Sequence, residues 1–373
     1  MNRGGTGLPD FPWDSLAEPT ARAKSHPGGL VDLSVGTPVD PVPESIRAAL
    51  ASVSEIPGYP TTHGTSELRA AAVEALARRH GITGVDPAAV LPTIGSKELV
   101  AWLPRLIGVE PGDTVAIPEL AYPTYEVGAM LAGAGVLRSD DPRYLAEPPA
   151  LVWLNSPSNP TGRVLGADVL REIVDWARER DVIVVSDECY LALGWDTDPV
   201  SILHPSVSNG RHDNLLAVHS LSKSANLASY RAGFVTGDPE LVAGLLAVRK
   251  HAGMIVPRPV QEAMTAALAD DDALSLQRDR YARRRVVLQK ALQDNGFRID
   301  HSEAGLYLWA TRGEDSWQTV QWLSERGILV APGTFYGPDG ARHVRVALTA
   351  TDERIEAAAE RLNEESRGRE TSQ

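Results

Sequence analysis

The sequence predicts an α/β fold, with a mostly parallel central sheet in a large domain and a smaller α+β domain. Three short apolar segments typical of buried strands occur at residues 151–154, 182–185 and 215–218. Apolar residues with helical spacing lie between the first two, at 170–180, which indicates a strand–helix–strand unit of a parallel sheet. A chain of 373 residues also exceeds the size at which one hydrophobic core usually stops growing, so we expect two domains.

The segment before these strands contains an irregular stretch followed by two predicted helices. Residues 1–44 are rich in proline and glycine with little periodicity, and we expect them to form an N-terminal arm and part of the small domain. Thr65 and Gly81 flank an amphipathic stretch, which predicts a helix with a polar N-cap and a glycine C-cap. A second helix is predicted to begin near Gly95, after an apolar segment, and to end near Ile107.

After the three apolar strands, the pattern changes from alternating strands and helices to a long charged helix followed by two strands. The expected elements are a strand, a helix, two strands and a final helix, at residues 232–236, 274–295, 307–311, 344–348 and roughly the last 20 residues. The change of pattern predicts a large domain over residues 45–275 and a small domain over residues 276–373.

The composition restricts the classes of function. A net charge of −13 disfavours binding to nucleic acid or anionic lipid, and no apolar run reaches the roughly 20 residues of a membrane span. The first 16 residues contain no apolar signal core, and the single cysteine fits a reducing compartment. The nine histidines show no metal-ligand spacing, so no metal site is expected. These features favour a cytoplasmic protein that acts on small molecules.

Polar residues follow each of the three predicted strands at its carboxyl end, where open α/β sheets bind ligands. Asn159 follows the first strand, Asp187 and Tyr190 follow the second, and Lys223 follows the third in Ser-Leu-Ser-Lys. Lys223 is one of only 5 lysines, against 31 arginines, and Arg231 lies eight residues further on. The two serine hydroxyls and Arg231 suit a phosphate, and a lysine beside them is able to form a Schiff base.

Taken in order, these motifs resemble those of the class I and II aminotransferases, which are pyridoxal phosphate enzymes of fold type I. The resemblance extends from Gly36 to Arg345, over nearly the whole chain. Its carriers are Asn159-Pro160-Thr161-Gly162, Asp187-x-x-Tyr190, and Ser220-x-Ser222-Lys223 with Arg231. It implies a fold type I pyridoxal-phosphate transferase, pyridoxal 5'-phosphate as cofactor, and transamination as the reaction.

The resemblance also implies roles around the cofactor ring. Lys223 is expected to be the catalytic lysine, and Asp187 to pair with the pyridine nitrogen so that the ring acts as an electron sink. Asn159 and Tyr190 match the donors to the phenolate oxygen, and Tyr122 matches the aromatic residue that stacks on the ring. Tyr125, in the same motif, is expected to pack in the following helix.

The phosphate group is expected to have donors from two sides. Ser96 and Lys97 lie at a predicted helix start, where backbone N–H groups face an anion. The donors from the other side are expected to be Ser220, Ser222 and Arg231. Tyr59 matches a family tyrosine that reaches the phosphate from the partner subunit, so the resemblance implies a homodimer with shared active sites.

Arg345 is expected to bind the substrate, because its guanidinium suits bidentate binding of an α-carboxylate. Gly36 matches the position whose backbone closes over the same carboxylate, and Asn159 is also expected to contact substrate. The N-terminal arm is therefore expected to act as a lid. Glutamate and 2-oxoglutarate are the expected amino-group donor and its product.

Further motifs look most like N-succinyldiaminopimelate aminotransferases of lysine (diaminopimelate) biosynthesis. Those motifs are Phe11-Pro12-Trp13-Asp14, His26-Pro27-Gly28-Gly29, residues 33–41 and Gly58-Tyr59-Pro60. A distal acid group on such a substrate needs a cation, and the sequence leaves four open: Lys97, Arg22, Arg258 and Arg312. The alternatives are an aspartate, aromatic or LL-diaminopimelate aminotransferase, or a β-lyase on the same fold. A ligand-sensing regulator is disfavoured because the chain has neither the length nor the charge of an added DNA-binding domain.

Overall fold

The computed structural model describes residues 7–370, with side chains described as far as residue 364. The helices, numbered in chain order, are α1 (Ala17–Lys24), α2 (Glu44–Ser52), α3 (Ser66–His80), α4 (Ser96–Leu106), α5 (Thr124–Ala132), α6 (Ala167–Arg178), α7 (Pro205–Ser208), α8 (Pro239–Ala252), α9 (Arg258–Ala269), α10 (Asp271–Asp294), α11 (Ser316–Glu325) and α12 (Asp352–Glu370). No helix within the described residues combines the length and the apolar character needed to cross a membrane.

The strands belong to three sheets. In chain order they are β1 (Val31–Asp32), β2 (Val90–Ile94), β3 (Thr114–Ile117), β4 (Gly135–Arg138), β5 (Leu151–Asn155), β6 (Ile183–Asp187), β7 (Leu215–Ser220), β8 (Ala232–Gly237), β9 (Arg298–Asp300), β10 (Tyr307–Thr311), β11 (Ile328–Leu329), β12 (Ala331–Pro332) and β13 (Val344–Ala347). The predicted strands and helices are thus present, with ends that differ by a few residues.

The largest sheet has seven strands in the order β2-β8-β7-β6-β5-β3-β4. Strands β7, β6, β5, β3 and β4 pair in parallel, and β8 pairs antiparallel with both of its neighbours. Two large apolar cores lie on this sheet. The prediction of a mostly parallel central sheet in an α/β fold is confirmed.

Helix α3 shows how local sequence sets the ends of an element. The Thr65 hydroxyl accepts a hydrogen bond from the Leu68 N–H at 3.1 Å, which satisfies one of the free donors of the first turn. The helix ends at Gly81, whose φ of +65° is the left-handed conformation that glycine adopts without a Cβ penalty.

A third core lies against the four-stranded antiparallel sheet β12-β13-β10-β9. This core includes Leu16 and Leu33 from the N-terminal segment, and β1 pairs in parallel with β11. The described part of residues 1–44 therefore contains a helix and a strand, which we had not predicted there. Helix α1 has eight residues and buries only Pro19 and Ala23, so its periodic signal was too weak to detect.

The two-domain division remains a proposal, with the sheet-bound cores in one domain and the third core in the other. The expected boundary between residues 275 and 276 falls inside α10, which begins at Asp271. Tyr281 and Leu288 of α10 belong to the third core, which supports placing most of this helix in the small domain.

Candidate active site

A cavity of about 760 Å³ lies where β5, β6 and β7 end. Most of the predicted site residues line it: Ser96, Lys97, Tyr122, Asn159, Asp187, Tyr190, Ser220, Ser222, Lys223, Arg231 and Arg345. Gly36 lies beside the cavity, between its lining residues Val35 and Thr37. The fold therefore brings residues that are far apart in sequence to one edge of the sheet, as the strand-end argument predicted.

Lys223 is half-buried and points toward the N-terminal segment. Its Nζ donates a hydrogen bond to the Gly36 carbonyl at 2.7 Å, and burial lowers the pKa of its amine. Gly36 has a φ of +74°, and a Cβ there would lie 2.6 Å from the Tyr307 hydroxyl oxygen. Only glycine fits this close approach to Tyr307. The carbonyl of Gly36 faces the lysine amine on the cavity side.

Asp187 is the last residue of β6, in register with Asn155 of β5 and Val218 of β7. Its carboxylate accepts hydrogen bonds from the Tyr125 hydroxyl at 2.8 Å and from the Cys189 N–H at 3.2 Å. Both donors are neutral groups, and burial raises the pKa of the Asp187 carboxyl. A cation held in the cavity would offset this cost of burial.

Tyr125 has more than the packing role predicted for it. Its ring stacks on Trp153 with centroids 4.9 Å apart, and its hydroxyl is bonded to Asp187. The ring of Tyr122 meets Tyr125 edge to face at 5.8 Å and lines the cavity. Tyr122 therefore presents an aromatic ring to the cavity, and Tyr125 donates a hydrogen bond to the Asp187 carboxylate.

Donors suited to an anion meet at the corner where β2, β8 and β7 lie side by side. Ile94 pairs with Ala232 and Ser220 pairs with Gly233, so the residues just beyond these strands meet. A Cβ on Gly95 would lie 2.3 Å from the guanidinium of Arg231. Helix α4 begins at the next residue, so its free N–H groups, three serine hydroxyls and Arg231 surround one space. This donor set fits a phosphate group.

Arg345 is buried at the opposite side of the cavity on β13. Its guanidinium donates to the Asn159 side-chain oxygen at 2.9 Å and to the Ser34 carbonyl. It also lies 3.9 Å from the ring centre of Tyr307, whose hydroxyl is 3.1 Å from that of Tyr190. The buried Nε of Arg345 has no hydrogen-bond partner in the part of the chain that the structure describes. A carboxylate ligand would supply one.

The resemblance implies that Arg345 binds the α-carboxylate of the amino donor. We therefore expect Arg345→Lys to lower kcat/KM by about 100-fold for every amino acid tested, because a single ammonium replaces a charge-assisted bidentate fork. Steady-state kinetics with several donors check this result, and thermal unfolding tests whether the fold survives. A loss confined to one donor would show that Arg345 contacts a side chain and not the carboxylate that all donors share.

The outer part of the cavity is aromatic. Phe11 and Trp13 stack with centroids 5.5 Å apart, and Trp13 meets Phe335 at 5.2 Å. The Lys97 ammonium lies 5.2 Å from the Phe11 ring centre. The Phe-Pro-Trp-Asp motif is recognisable in the sequence, but Phe335 and Tyr307 are not, because no local pattern separates these rings from ordinary core residues.

Tyr59 and Glu188 lie outside this cavity. Tyr59 is fully exposed and does not line the cavity of its own chain. Glu188 had no predicted role; its buried carboxylate accepts from the Ile202 N–H at 2.8 Å and lies 3.9 Å from the His219 ring. Burial raises the pKa of Glu188 to about 7. Glu188 therefore belongs to the packing behind Asp187.

The cavity residues fit pyridoxal phosphate as the implied cofactor. A phosphate corner, a buried carboxylate, an aromatic face and a lysine with a lowered pKa are the groups this molecule needs. Residues 7–364 contain no group of three or more histidine, cysteine, aspartate or glutamate side chains arranged to hold a metal ion.

Comparison with known proteins agrees with this geometry. The family model described as aminotransferase class I and II matches residues 29–362. A probable aminotransferase of Mycobacterium tuberculosis is 65% identical, covering 96% of this chain and 87% of that protein. The 4-dedimethylamino-4-oxo-anhydrotetracycline transaminase of Streptomyces rimosus is 60% identical, covering 95% and 99%. The structure of a probable N-succinyldiaminopimelate aminotransferase from Thermus thermophilus matches with a TM-score of 0.85 at 29% identity, covering 95% and 100%.

Proposed function

The chain belongs to the class I and II aminotransferases, and we propose that it exchanges an amino group between N-succinyl-LL-2,6-diaminopimelate and 2-oxoglutarate. It is a pyridoxal-phosphate-dependent aminotransferase that acts on amino acids and 2-oxo acids. The observation that carries the specific proposal is that a further cation, Lys97, lines the same cavity as Arg345.

The residues that would hold the cofactor follow from the cavity. Ser96, Ser220, Ser222 and Arg231 would bind the phosphate, with Lys97 close by at the start of α4. The proposed ring contacts are Asp187 at the nitrogen, Tyr122 on one face, and Asn159 and Tyr190 at the phenolate oxygen. Bound pyridoxal phosphate supplies an electron-withdrawing ring that stabilises negative charge developing at the substrate Cα.

The chain's own contribution is orientation and proton transfer. We propose that Arg345, with Asn159 and the backbone of Gly36, fixes the α-carboxylate, and with it the direction of the Cα–H bond. The Lys223 amine, with a pKa lowered by burial, then accepts that proton as a general base and returns a proton as a general acid. The aromatic rings of the N-terminal segment would exclude water from this step.

Lys97 is the candidate cation for the distal acid group of the substrate. Of the four cations that the sequence left open, it alone lines the cavity within the described residues. Arg22 pairs with Glu18, Arg258 pairs with Glu262, and Arg312 stacks on Trp322 at 4.3 Å. The Lys97 ammonium lies over the face of the Phe11 ring and forms no ion pair within residues 7–364, so it is available to a ligand.

A second candidate function is amination of a bulky planar ketone. The Streptomyces rimosus relative carries the name of a transaminase for a substituted anhydrotetracycline, and it is 60% identical over 95% of this chain. The aromatic wall of Phe11, Trp13 and Phe335 supports a substrate of this type, because flat rings pack well on aromatic side chains.

Acceptor specificity separates these candidates. We expect Lys97→Met to raise KM for an N-succinylated dicarboxylate-like acceptor by about 10- to 100-fold, the effect of losing one charge-assisted bond, and to change KM for monocarboxylic 2-oxo acids less than twofold. Steady-state kinetics with an acceptor panel measure this. Lys250→Met, on the exposed end of α8, serves as the control for loss of a lysine.

Other results on the panel would redirect the proposal. Preference for a polycyclic ketone would favour the second candidate. Preference for an aspartate, aromatic or LL-diaminopimelate substrate would favour another aminotransferase of this class, and release of pyruvate and ammonia would indicate a β-lyase. If Lys97→Met weakened cofactor binding but left acceptor KM unchanged, Lys97 would belong to the phosphate site.

We also propose a homodimer in which Tyr59 of each subunit reaches the phosphate site of the other. The full exposure of a tyrosine beside Gly58 and Pro60 supports this proposal, because such a large ring is normally at least partly covered. Mixing Tyr59→Ala with Lys223→Ala subunits should restore activity, since one site of each heterodimer combines an intact Lys223 with an intact Tyr59.

The mixing experiment needs two controls. Each single variant must be impaired alone, and subunit exchange must be verified by mass spectrometry of labelled chains. A double variant carrying both changes, mixed with wild type, should form heterodimers with no intact site. If exchange is confirmed and the mixed single variants recover no activity, Tyr59 does not act across the interface.

A further inference from the structure

Helix α10 buries three polar side chains on one face. Gln277, Tyr281 and Arg284 are spaced by four and three residues, so they lie in one row along the helix. Their exposed fractions are 2%, 0% and 3%. Polar groups that are buried this deeply need specific partners, and those partners show what the row holds in place.

Asp40 is held by two members of the row. Arg284 donates to both carboxylate oxygens of Asp40, at 2.8 and 2.6 Å, and Gln277 donates to one of them at 2.8 Å. Burial alone would raise the pKa of Asp40, but the hydrogen bonds from Arg284 and Gln277 lower it overall, so the carboxyl stays ionised. A third bond joins Arg284 to Asp352 at the start of α12, at 2.6 Å.

The same row contacts the loop that carries Lys223. The Tyr281 hydroxyl donates to the backbone carbonyl of Lys223 at 3.2 Å. The side-chain amide of Asn226, in the same loop, donates to the Gln277 side-chain oxygen at 2.9 Å and to the Pro41 carbonyl at 3.3 Å. One helix face therefore holds both the Lys223 loop and the segment that contains Asp40.

The segment from Gly36 to Pro41 lies beside the Lys223 side chain. Gly36 faces the Lys223 amine through its carbonyl, and Asp40, only four residues later, is anchored to α10. Only residues 37–39 separate the two, so a displacement of Asp40 would shift the Gly36 carbonyl. A displacement of Tyr281 would likewise release the Lys223 backbone carbonyl.

We propose that Gln277, Tyr281 and Arg284 form a clamp that sets the position of Lys223 relative to the Gly36 segment, and that they are positioning residues for proton transfer at the substrate Cα. This proposal rests on transamination at Lys223. A displacement of about 1 Å in a reacting group is enough to lower a rate by about 100-fold, so loosening the clamp should act on kcat. None of the three side chains lines the cavity, so we expect them to act without contacting cofactor or donor.

The test compares three variants as holoenzymes. Tyr281→Phe removes one hydroxyl and is the conservative change, Arg284→Met breaks the ion pair with Asp40, and Arg285→Met is the matched control on the same helix. Arg285 pairs with Asp196 and not with the clamp. We expect Tyr281→Phe to lower kcat about tenfold and Arg284→Met about 100-fold. Cofactor affinity and donor KM should change less than threefold, and Arg285→Met should leave kcat within twofold.

Two further readouts separate positioning from general damage. With donor deuterated at Cα, the isotope effect on kcat should increase in Tyr281→Phe, because proton transfer becomes more rate-limiting. In apoenzyme, reductive methylation followed by peptide mapping should modify Lys223 faster in both clamp variants than in wild type. Lys290, whose side chain is 75% exposed, is the internal standard for that reaction.

The outcomes distinguish the clamp from the proposed function. Unchanged kcat in Tyr281→Phe and Arg284→Met would overturn the clamp, as would equal effects on kcat, KM and cofactor affinity. An equal loss of kcat in Arg285→Met would also overturn it. If Arg284→Met does not fold, Tyr281→Phe decides alone. Absence of transamination by the wild-type enzyme would instead refute the proposed function, and apoenzyme methylation would still test the clamp.

Discussion

Lys223→Ala should bind pyridoxal phosphate without forming a covalent bond to it, and transamination should fall by at least about 10⁴-fold. The variant loses the amine that moves the Cα proton, a contribution of about 10² to 10⁴ by itself, and also loses the covalent attachment. The phosphate corner and Asp187 are untouched, so binding of the cofactor should persist. Borohydride reduction followed by peptide mapping measures the attachment, and should label Lys223 in the wild type.

The other lysines provide the controls for this experiment. Lys97 also lines the cavity, whereas Lys250 and Lys290 lie on helices away from it. Lys290→Ala should retain wild-type turnover and label. Label on Lys97 or Lys250 in the wild type would show that the catalytic amine had been assigned to the wrong residue.

Asp187→Asn should lower turnover far more than tenfold while leaving the fold intact. Asparagine keeps the shape of the side chain but removes the charge that pairs with a protonated ring nitrogen, so the cofactor loses much of its electron-withdrawing power. Steady-state turnover and circular dichroism measure the two effects. A variant within about tenfold of wild type, equivalent to about 1.4 kcal/mol, would mean that another residue carries this role.

Although Asp187→Asn should lower turnover, it should stabilise the folded apoenzyme at neutral pH. Burial raises the pKa of Asp187 above 3.8 in the folded state, so the folded chain binds this proton more tightly than the unfolded chain. Stability is therefore lost as pH rises from 3.8 through the raised value. At neutral pH, apo Asp187→Asn should melt at a higher temperature than apo wild type. A lower melting temperature would show that the charged carboxylate stabilises the empty fold.

The sequence was sufficient to predict the central sheet and most of the cavity lining. Strands β5, β6 and β7 are apolar and end in polar residues, and parallel pairing places those ends at one edge. Asn159, Asp187 and Lys223 are therefore brought together by topology alone. The caps of α3 were predictable for a local reason, because Thr65 and Gly81 act on the ends of their own helix.

Other features depend on contacts between distant segments and had no local signal. Tyr307 occupies an ordinary strand position, and its contact with Arg345 arises only when β10 pairs with β13. The bond from Tyr125 to Asp187 joins residues 62 apart in sequence. The proposal of Lys97 and not Arg22 for the distal acid group depended on the cavity, because the sequence alone shows both residues only as cations.

Cys189 gives the chain a natural reporter group. It is the single cysteine of 373 residues, it lines the cavity, and its N–H is bonded to Asp187. Burial, together with the nearby Asp187, raises the pKa of its thiol, so it should react slowly with alkylating reagents. An isotopic label in this cysteine would occupy a unique position beside the Asp187 carboxylate, and its signal would report whether the cavity is occupied without any engineered cysteine.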